Sequence, residues 1–365
     1  MSQAKLGFTH RLYTGKISYD FIGKRRGWYI LSGVILAITI IGLIARGLVL
    51  GIEFRGGTDF QVPMTVEATT IDDVRSAVEE FSVADLQPQV FSLGENAVRI
   101  QTRAMTPDEI TQVRSEIGEL ADASAEEVTY SSIGASWGKR VSQRGGIALV
   151  VFVLLVMVLI AVWFRDVKMS LAAVAALAHD VVVTLGLYAL VGFTVTPATL
   201  IGVLTILGYS LYDTVVVFDK VKENIQGLAE SRDTYSDRAN LAVNQVLVRS
   251  VNTTVIGVLP VAALLIGGSV LGAGPLQDLG LPLLVGMIAG AYSSIFLATP
   301  ILASLKEREP EQVRHRESIR RREQRAEERK GRRKSDAVEE PVTTATTAGA
   351  PAPAQPGQQR RQRRT

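Results

Sequence analysis

Apolar residues are not spread evenly along the chain. They gather into runs approaching the ~20 residues that a helix needs to cross a bilayer. Six runs are read as spans: Trp28–Ala45, Gly145–Phe164, Met169–Val191, Thr196–Phe218, Arg249–Leu271 and Leu279–Leu305. The first is longer than a signal-peptide core, and Arg46 stands where a small cleavage-site residue belongs, so it reads as an uncleaved anchor. The interval 47–144 is long and polar, whereas the other connections are short.

Within 47–144 the period changes. Ile52–Val62 has strand composition around a Gly56–Gly57 pair, which predicts a bulge or a close backbone contact. A helix is expected to start at Thr70, with Val74, Val78 and Phe81 on one face. Gln89–Leu93 and Ala97–Thr102 read as a hairpin across Gly94–Glu95–Asn96. Thr106-Pro-Asp-Glu109 is a helix start with a capping threonine, a proline in the first turn and an acid three residues on. Ile110, Val113 and Ile117 form its apolar face, and Glu127–Ile133 is the last strand. The order βαββαβ predicts a small ferredoxin-like α+β domain.

Charge adds an orientation. Residues 1–26 carry six Lys and Arg and the stretch after Leu305 carries seventeen, while the short loops 192–195 and 272–278 carry none. By the positive-inside rule both 1–26 and 306–365 are expected in the cytoplasm, with 47–144 on the outer side. The net charge is only +3, so its placement matters more than its sum. The segment 306–365, with its ERKGRRKS run, Thr/Ala/Pro stretch and terminal arginines, reads as a disordered basic tail. Anionic lipid or ribosomal RNA are its candidate contacts.

The candidate chemistry is sparse. There is no cysteine and there are three histidines, so thiolate chemistry is excluded and a metal site is not expected. Gly134–Arg140 has the wrong spacing for a phosphate-binding loop, and HExxH, GxSxG and GxGxxG are missing. The chain is expected to be no enzyme and to hold no cofactor.

What stands out is ionisable residues inside apolar runs: His179 and Asp180 in the third, Asp213 in the fourth and Arg249 in the fifth. An acid or arginine costs about 2.5–3.5 kcal/mol at a helix centre, so such residues line a bundle interior or a wet cavity. Ser210, Asp213 and Thr214 share one helix face by spacing, as do Arg249, Asn252 and Thr253. Asp213 and Arg249 fall at similar depths, roughly 10 Å from the inner edge, which makes a salt bridge easy between antiparallel neighbours. That pair reads either as static packing or as a proton-exchanging acid tuned by a guanidinium. Asp180 is either a second relay member or an acid held by His179.

Several stretches together carry a family resemblance. They are Gly51-Ile-Glu-Phe-Arg-Gly-Gly-Thr58, Ser132-Ile-Gly-Ala-Ser-Trp-Gly138, Ala178-His-Asp180, Gly208–Asp219 followed by Lys222-Glu-Asn224, and Arg249-Ser-Val-Asn-Thr-Thr254. In this order the chain resembles the SecF family, the smaller partner of SecD in the bacterial Sec machinery. The resemblance implies a six-helix bundle of the RND type with one extracytoplasmic domain, in the bacterial cytoplasmic membrane. It implies pairing with SecD, association with the SecYEG channel and its SecA motor, and use of the proton-motive force to promote preprotein export. The family's proton-path acid and arginine match Asp213 and Arg249, with a partnering intramembrane acid supplied by SecD. Tyr212 departs from the asparagine more often expected before the acid. A purely structural subunit and a small-molecule exporter of the RND class are the competing readings; the single compact outer domain argues against the exporter.

Overall fold

The computed structural model describes residues 18–66, 70–93, 96–270 and 273–338, and residues up to Arg316 belong to one compact unit. Six helices among the described residues are long and apolar enough to cross a membrane. They are α1 (Arg25–Arg46), α5 (Ala135–Phe164), α6 (Val167–Val191), α7 (Pro197–Asn224), α8 (Tyr235–Val270), and α9 (Gly274–Ser293), which continues through a π-helical turn (Ser294–Ala298) into α10 (Thr299–Lys306). The six expected spans fall on these helices, except for Thr196, which caps α7, and Leu271, which lies outside the described residues. Two helices begin well before their apolar runs, α5 at Ala135 and α8 at Tyr235, because polar turns project beyond the apolar part.

Local chemistry sets several ends. Thr196 caps α7 by a reciprocal hydrogen-bonded box with Thr199, and Pro197 occupies the first turn, where its missing N–H costs nothing. Asp166 caps α6 by accepting from the backbone N–H groups of Lys168 and Met169. Pro300, in the first turn of α10, has no N–H to continue the ladder, and the π-helical turn lies just ahead of it. On α8, Asn240 and Asn244 grip the segment leading into α1. Asn244 Oδ1 accepts from Tyr19 N at 2.8 Å and Asn240 Oδ1 from Phe21 N at 2.8 Å. Their i, i+4 spacing was the available signal for this contact.

The α/β domain follows α1. A short strand β1 (Val49–Leu50) pairs in parallel with β6 (Thr194–Val195), tying the domain entry to the α6–α7 turn. The expected strand Ile52–Val62 divides: Ile52–Arg55 is a helical turn, α2, and only Gly57–Pro63 is strand, β2. Gly56 (φ 82°) and Gly57 (φ 151°) make the division, since both occupy backbone space that other residues avoid. A Cβ on Gly57 would also lie 2.3 Å from the carbonyl oxygen of Thr102. The start of α5 packs on this turn so closely that a Cβ on Gly138 would meet the Phe54 carbonyl at 2.5 Å.

Beyond it come α3 (Thr70–Glu79), β3 (Gln89–Ser92), β4 (Ala97–Thr102), α4 (Pro107–Leu120) and β5 (Thr129–Ile133). The sheet order is β3-β4-β2-β5, antiparallel throughout. Gly94 and Glu95, in the expected hairpin turn, lie outside the described residues. Phe60, Val62, Val98 and Ile100 project to one face and meet Val74, Val78, Val113 and Ile117 from α3 and α4. Period-two alternation then sends Asp59, Arg99 and Gln101 to the other face, where they too are buried.

The tail departs from expectation in part. Residues Pro310–Val338 form a helix, α11, where a disordered segment was expected. Its Glu, Arg and Gln residues are good helix formers, and opposite charges recur one turn apart, as at Glu317 and Arg321 (3.9 Å). Residues 339–365 lie outside the described residues, as do 1–17.

Candidate functional site

Two carboxylates meet where α6, α7, α8 and the end of α9 converge. Asp180 on α6 is fully buried. Its Oδ1 lies 3.1 Å from Nδ1 of His179. Its Oδ2 accepts from Ser210 Oγ on α7 at 2.6 Å and from Ser293 Oγ on α9 at 2.8 Å. Asp213 lies one turn along α7 from Ser210. Its Oδ2 accepts from Ser250 Oγ on α8 at 2.8 Å and from Ser294 Oγ at very short range. Neighbouring serines at the start of the π-helical turn thus serve different acids.

Glycine makes this convergence sterically accessible. A Cβ on Gly290 would lie 2.8 Å from Ser210 Cβ, and one on Gly286 only 2.2 Å from Ile206 Cδ1. The Gly286-x-x-x-Gly290 face therefore lets α9 approach α7 until Ser293 and Ser294 reach the acids.

The electrostatics follow from the donor set. A buried carboxylate is costly unless hydrogen-bonded. Here the donors are hydroxyls and one imidazole, and among the described residues neither acid is paired to a lysine or arginine. A hydroxyl donates to a carboxylate and accepts from a carboxylic acid. The serine cage can therefore hold either protonation state without breaking an ion pair. Asp180 has no exposure, whereas Asp213 retains 8%, so Asp213 is the more accessible of the two.

Arg249 corrects the sequence reading. It does not pair with Asp213. Its side chain is exposed, with Nη2 3.4 Å from the Tyr212 hydroxyl, in a groove of about 990 Å³ bordered by Trp163, Asp219, Lys220, Asn252 and Thr253. The depth agreement between the two helices holds, since the next residue, Ser250, is the one that reaches the acid. One residue is a rotation of about 100° on a helix, enough to turn the guanidinium away. Asn252 is exposed, and Thr253 Oγ1 bonds the carbonyls of Arg249 (3.0 Å) and Ser250 (2.9 Å). Thr214 is buried beside Asp213, but its hydroxyl has no partner among the described residues; nor has Nε2 of His179.

The structure thus brings His179, Asp180, Ser210 and Asp213 together and leaves Arg249, Asn252 and Thr253 on the groove side. Sequence reasoning missed Ser250, Ser293 and Ser294. Their signal was a hydroxyl pair within an apolar run and a serine next to Arg249.

A second polar cluster sits between sheet and bundle. Arg99 Nε lies 3.1 Å from Asp59 Oδ2, and Nη1 lies 3.7 Å from Oδ2 of Asp278 at the start of α9. Desolvation pushes the Asp59 carboxyl up to about 6; Arg99 opposes the rise and Glu53 adds to it.

Residues 112–308 match the family described as protein export membrane protein SecD/SecF, C-terminal, and residues 41–66 match the SecD/SecF GG motif, which contains Gly56 and Gly57. A protein translocase subunit SecF from Streptomyces coelicolor is 47% identical over 303 residues, covering 82% of this chain and 80% of that one. The SecF from Mycobacterium tuberculosis strain H37Rv is 42% identical over 322 residues, covering 84% and 72%. A crystal structure of SecDF, a translocon-associated membrane protein from Thermus thermophilus, superposes with a TM-score of 0.71 at 26% identity; it covers 80% of this chain, which spans 39% of that one. With the export-family match running over half its length and relatives this similar over four-fifths of it, the chain belongs to the SecF family of protein translocase subunits.

Proposed function

We propose that this chain is a proton-motive-force-coupled subunit that acts with SecD to promote preprotein export across the bacterial cytoplasmic membrane. The observation that carries the coupling is the pair of buried carboxylates held by hydroxyls and one imidazole rather than by lysine or arginine. One elementary charge moving through 100 mV is worth about 2.3 kcal/mol, enough to bias a two-state helix packing by tens-fold. Protonation of Asp213 at Oδ2 would supply one O–H, which can reverse one of the two hydrogen bonds from Ser250 and Ser294 and weaken the other; the two serines sit on different helices. Repacking of α8 and α9 about α7 is then transmitted through Asp278 to the α/β domain. Arg249 acts here as a neighbour in the groove, not as the carboxylate's ion-pair partner.

In this reading the α/β domain is ferredoxin-like, which the strand order and two helices on one face support, and the six helices are an RND-type half bundle. In the same reading 1–26 and 306–365 are cytoplasmic, which their basic charge supports. SecD supplies the other half and the facing intramembrane acid; SecYEG and SecA supply channel and motor. The subunit performs no bond chemistry and holds no resident cofactor.

The test is preprotein export in proteoliposomes of the SecD complex with SecYEG and SecA, with and without an imposed proton gradient. Asp213→Asn is expected to abolish the gradient-dependent increment while the complex still assembles. Gradient-dependent export unchanged by Asp213→Asn would remove the coupling role and leave a structural subunit.

A further inference from the structure

The side of the bundle opposite the α/β domain carries a built basic pocket. Arg25 and Arg26 at the start of α1 meet Arg308 and Arg316 beyond α10, with Tyr29 and Ser304 in the wall, around a cavity of about 350 Å³. One acid, Glu307, is present, and it is already engaged: Arg25 Nη1 lies 3.2 Å from its Oε2, and Ser236 donates to Oε1. Among the described residues Arg26, Arg308 and Arg316 have no ion-pair partner. Four guanidiniums thus converge on a space that one carboxylate only partly neutralises.

The pocket's position narrows what it takes. From it runs an outward apolar face of α1, with Ile30, Val34, Ile38 and Ile41 all exposed. A soluble anion would use the arginines alone. A phospholipid would place its phosphate among the guanidiniums and its acyl chains along that face. Planar guanidiniums suit phosphate by forked hydrogen bonds, and basic pockets between membrane helices at the bilayer surface recognise acidic headgroups.

We propose that this pocket is a specific site for an anionic phospholipid, seated between the start of α1 and the end of α10. The inference rests on the membrane placement of these helices and not on proton coupling. Each basic residue at such a surface changes affinity by a factor of about five.

Native mass spectrometry of the full chain in detergent, titrated with phosphatidylglycerol or phosphatidylethanolamine, tests it. The expected result is selective retention of phosphatidylglycerol, weakened about twenty-fold in an Arg26→Gln/Arg308→Gln variant that melts like wild type. An Arg321→Gln/Arg322→Gln variant of α11 is expected to retain it. Equal retention of both lipids, retention unchanged in the pocket variant, or equal losses in both variants would overturn the site. Displacement of the lipid by millimolar inorganic phosphate would make it a phosphate site instead.

Discussion

Asp213 and Asp180 owe their tolerance to hydroxyls. Each Oδ2 accepts two serines drawn from different helices, so the acids act as cross-links whose strength depends on their proton. A hydrogen bond to a charged group contributes about 1.5–3 kcal/mol. Ser210→Ala is therefore expected to lower stability by about 2 kcal/mol, read as thermal unfolding of the purified chain; an unchanged melt would show that Asp180 does not need that donor. Arg249 gives the opposite expectation. Removing one member of a buried ion pair costs about 3–5 kcal/mol. Because this guanidinium is exposed and bonded, among the described residues, only to Tyr212, Arg249→Met should leave the melting behaviour within about 1 kcal/mol of wild type. A loss of 3 kcal/mol would mean that the pair forms after all. The acids were legible as apolar runs interrupted by charge. The serines were not, because a hydroxyl in a membrane helix more often bonds its own preceding turn, as Thr253 does here.

At the scale of elements, the decisive contact is α9 against α7. Its closeness depends on two glycines, Gly286 and Gly290, one turn apart on the facing side of α9. Gly286→Val would drive a side chain into Ile206 and push the helices apart. Overpacking of this kind costs about 1–3 kcal/mol. It is also expected to lower gradient-dependent export, because Ser293 and Ser294 would retreat from their acids; normal stability and export would show that the helices already stand apart in the working protein. The π-helical turn after Ser293 has no counterpart in the sequence reading; it lies just ahead of Pro300, whose missing N–H interrupts the helical ladder. The division of the first expected strand has a similar cause. Its composition favours a strand, but the Gly56–Gly57 geometry and the packing of Gly138 on Phe54 select a helical turn. Local propensity was outweighed by a contact with a residue far along the chain.

At the scale of the whole molecule, the sheet face with Asp59 and Arg99 meets the bundle at Asp278. Since burial raises the Asp59 carboxyl to about 6 from an ordinary value near 3.8, the folded chain binds this proton more tightly than the unfolded chain. Its contribution to stability is full below the ordinary value and is lost as pH rises through about 6. Glu109 has the opposite sign: its hydrogen bond with Arg103, then that with Thr106, lowers it to about 2, so its contribution is present above the ordinary carboxylate value and lost as pH falls through about 2. Hydrogen exchange of the β2 and β4 amides, corrected for intrinsic pH effects, should show stronger protection at pH 5 than at pH 7.5. Asp59→Asn should flatten that difference; a difference unaltered by the substitution would place its source elsewhere.

The sequence by itself determined the six apolar helices, the order of elements from β2 to β5, the capping box at Thr106, and the presence of costly acids in the third and fourth spans. These follow from length, period and side-chain chemistry, which act within a few turns of one chain segment. Only the tertiary structure decided which way α8 is rotated, that Ser250 rather than Arg249 meets Asp213, and that Arg99 bridges the sheet and α9. Those outcomes depend on interhelical contacts, where a rotation of about 100° exchanges one residue for the next and leaves the hydropathy pattern unchanged.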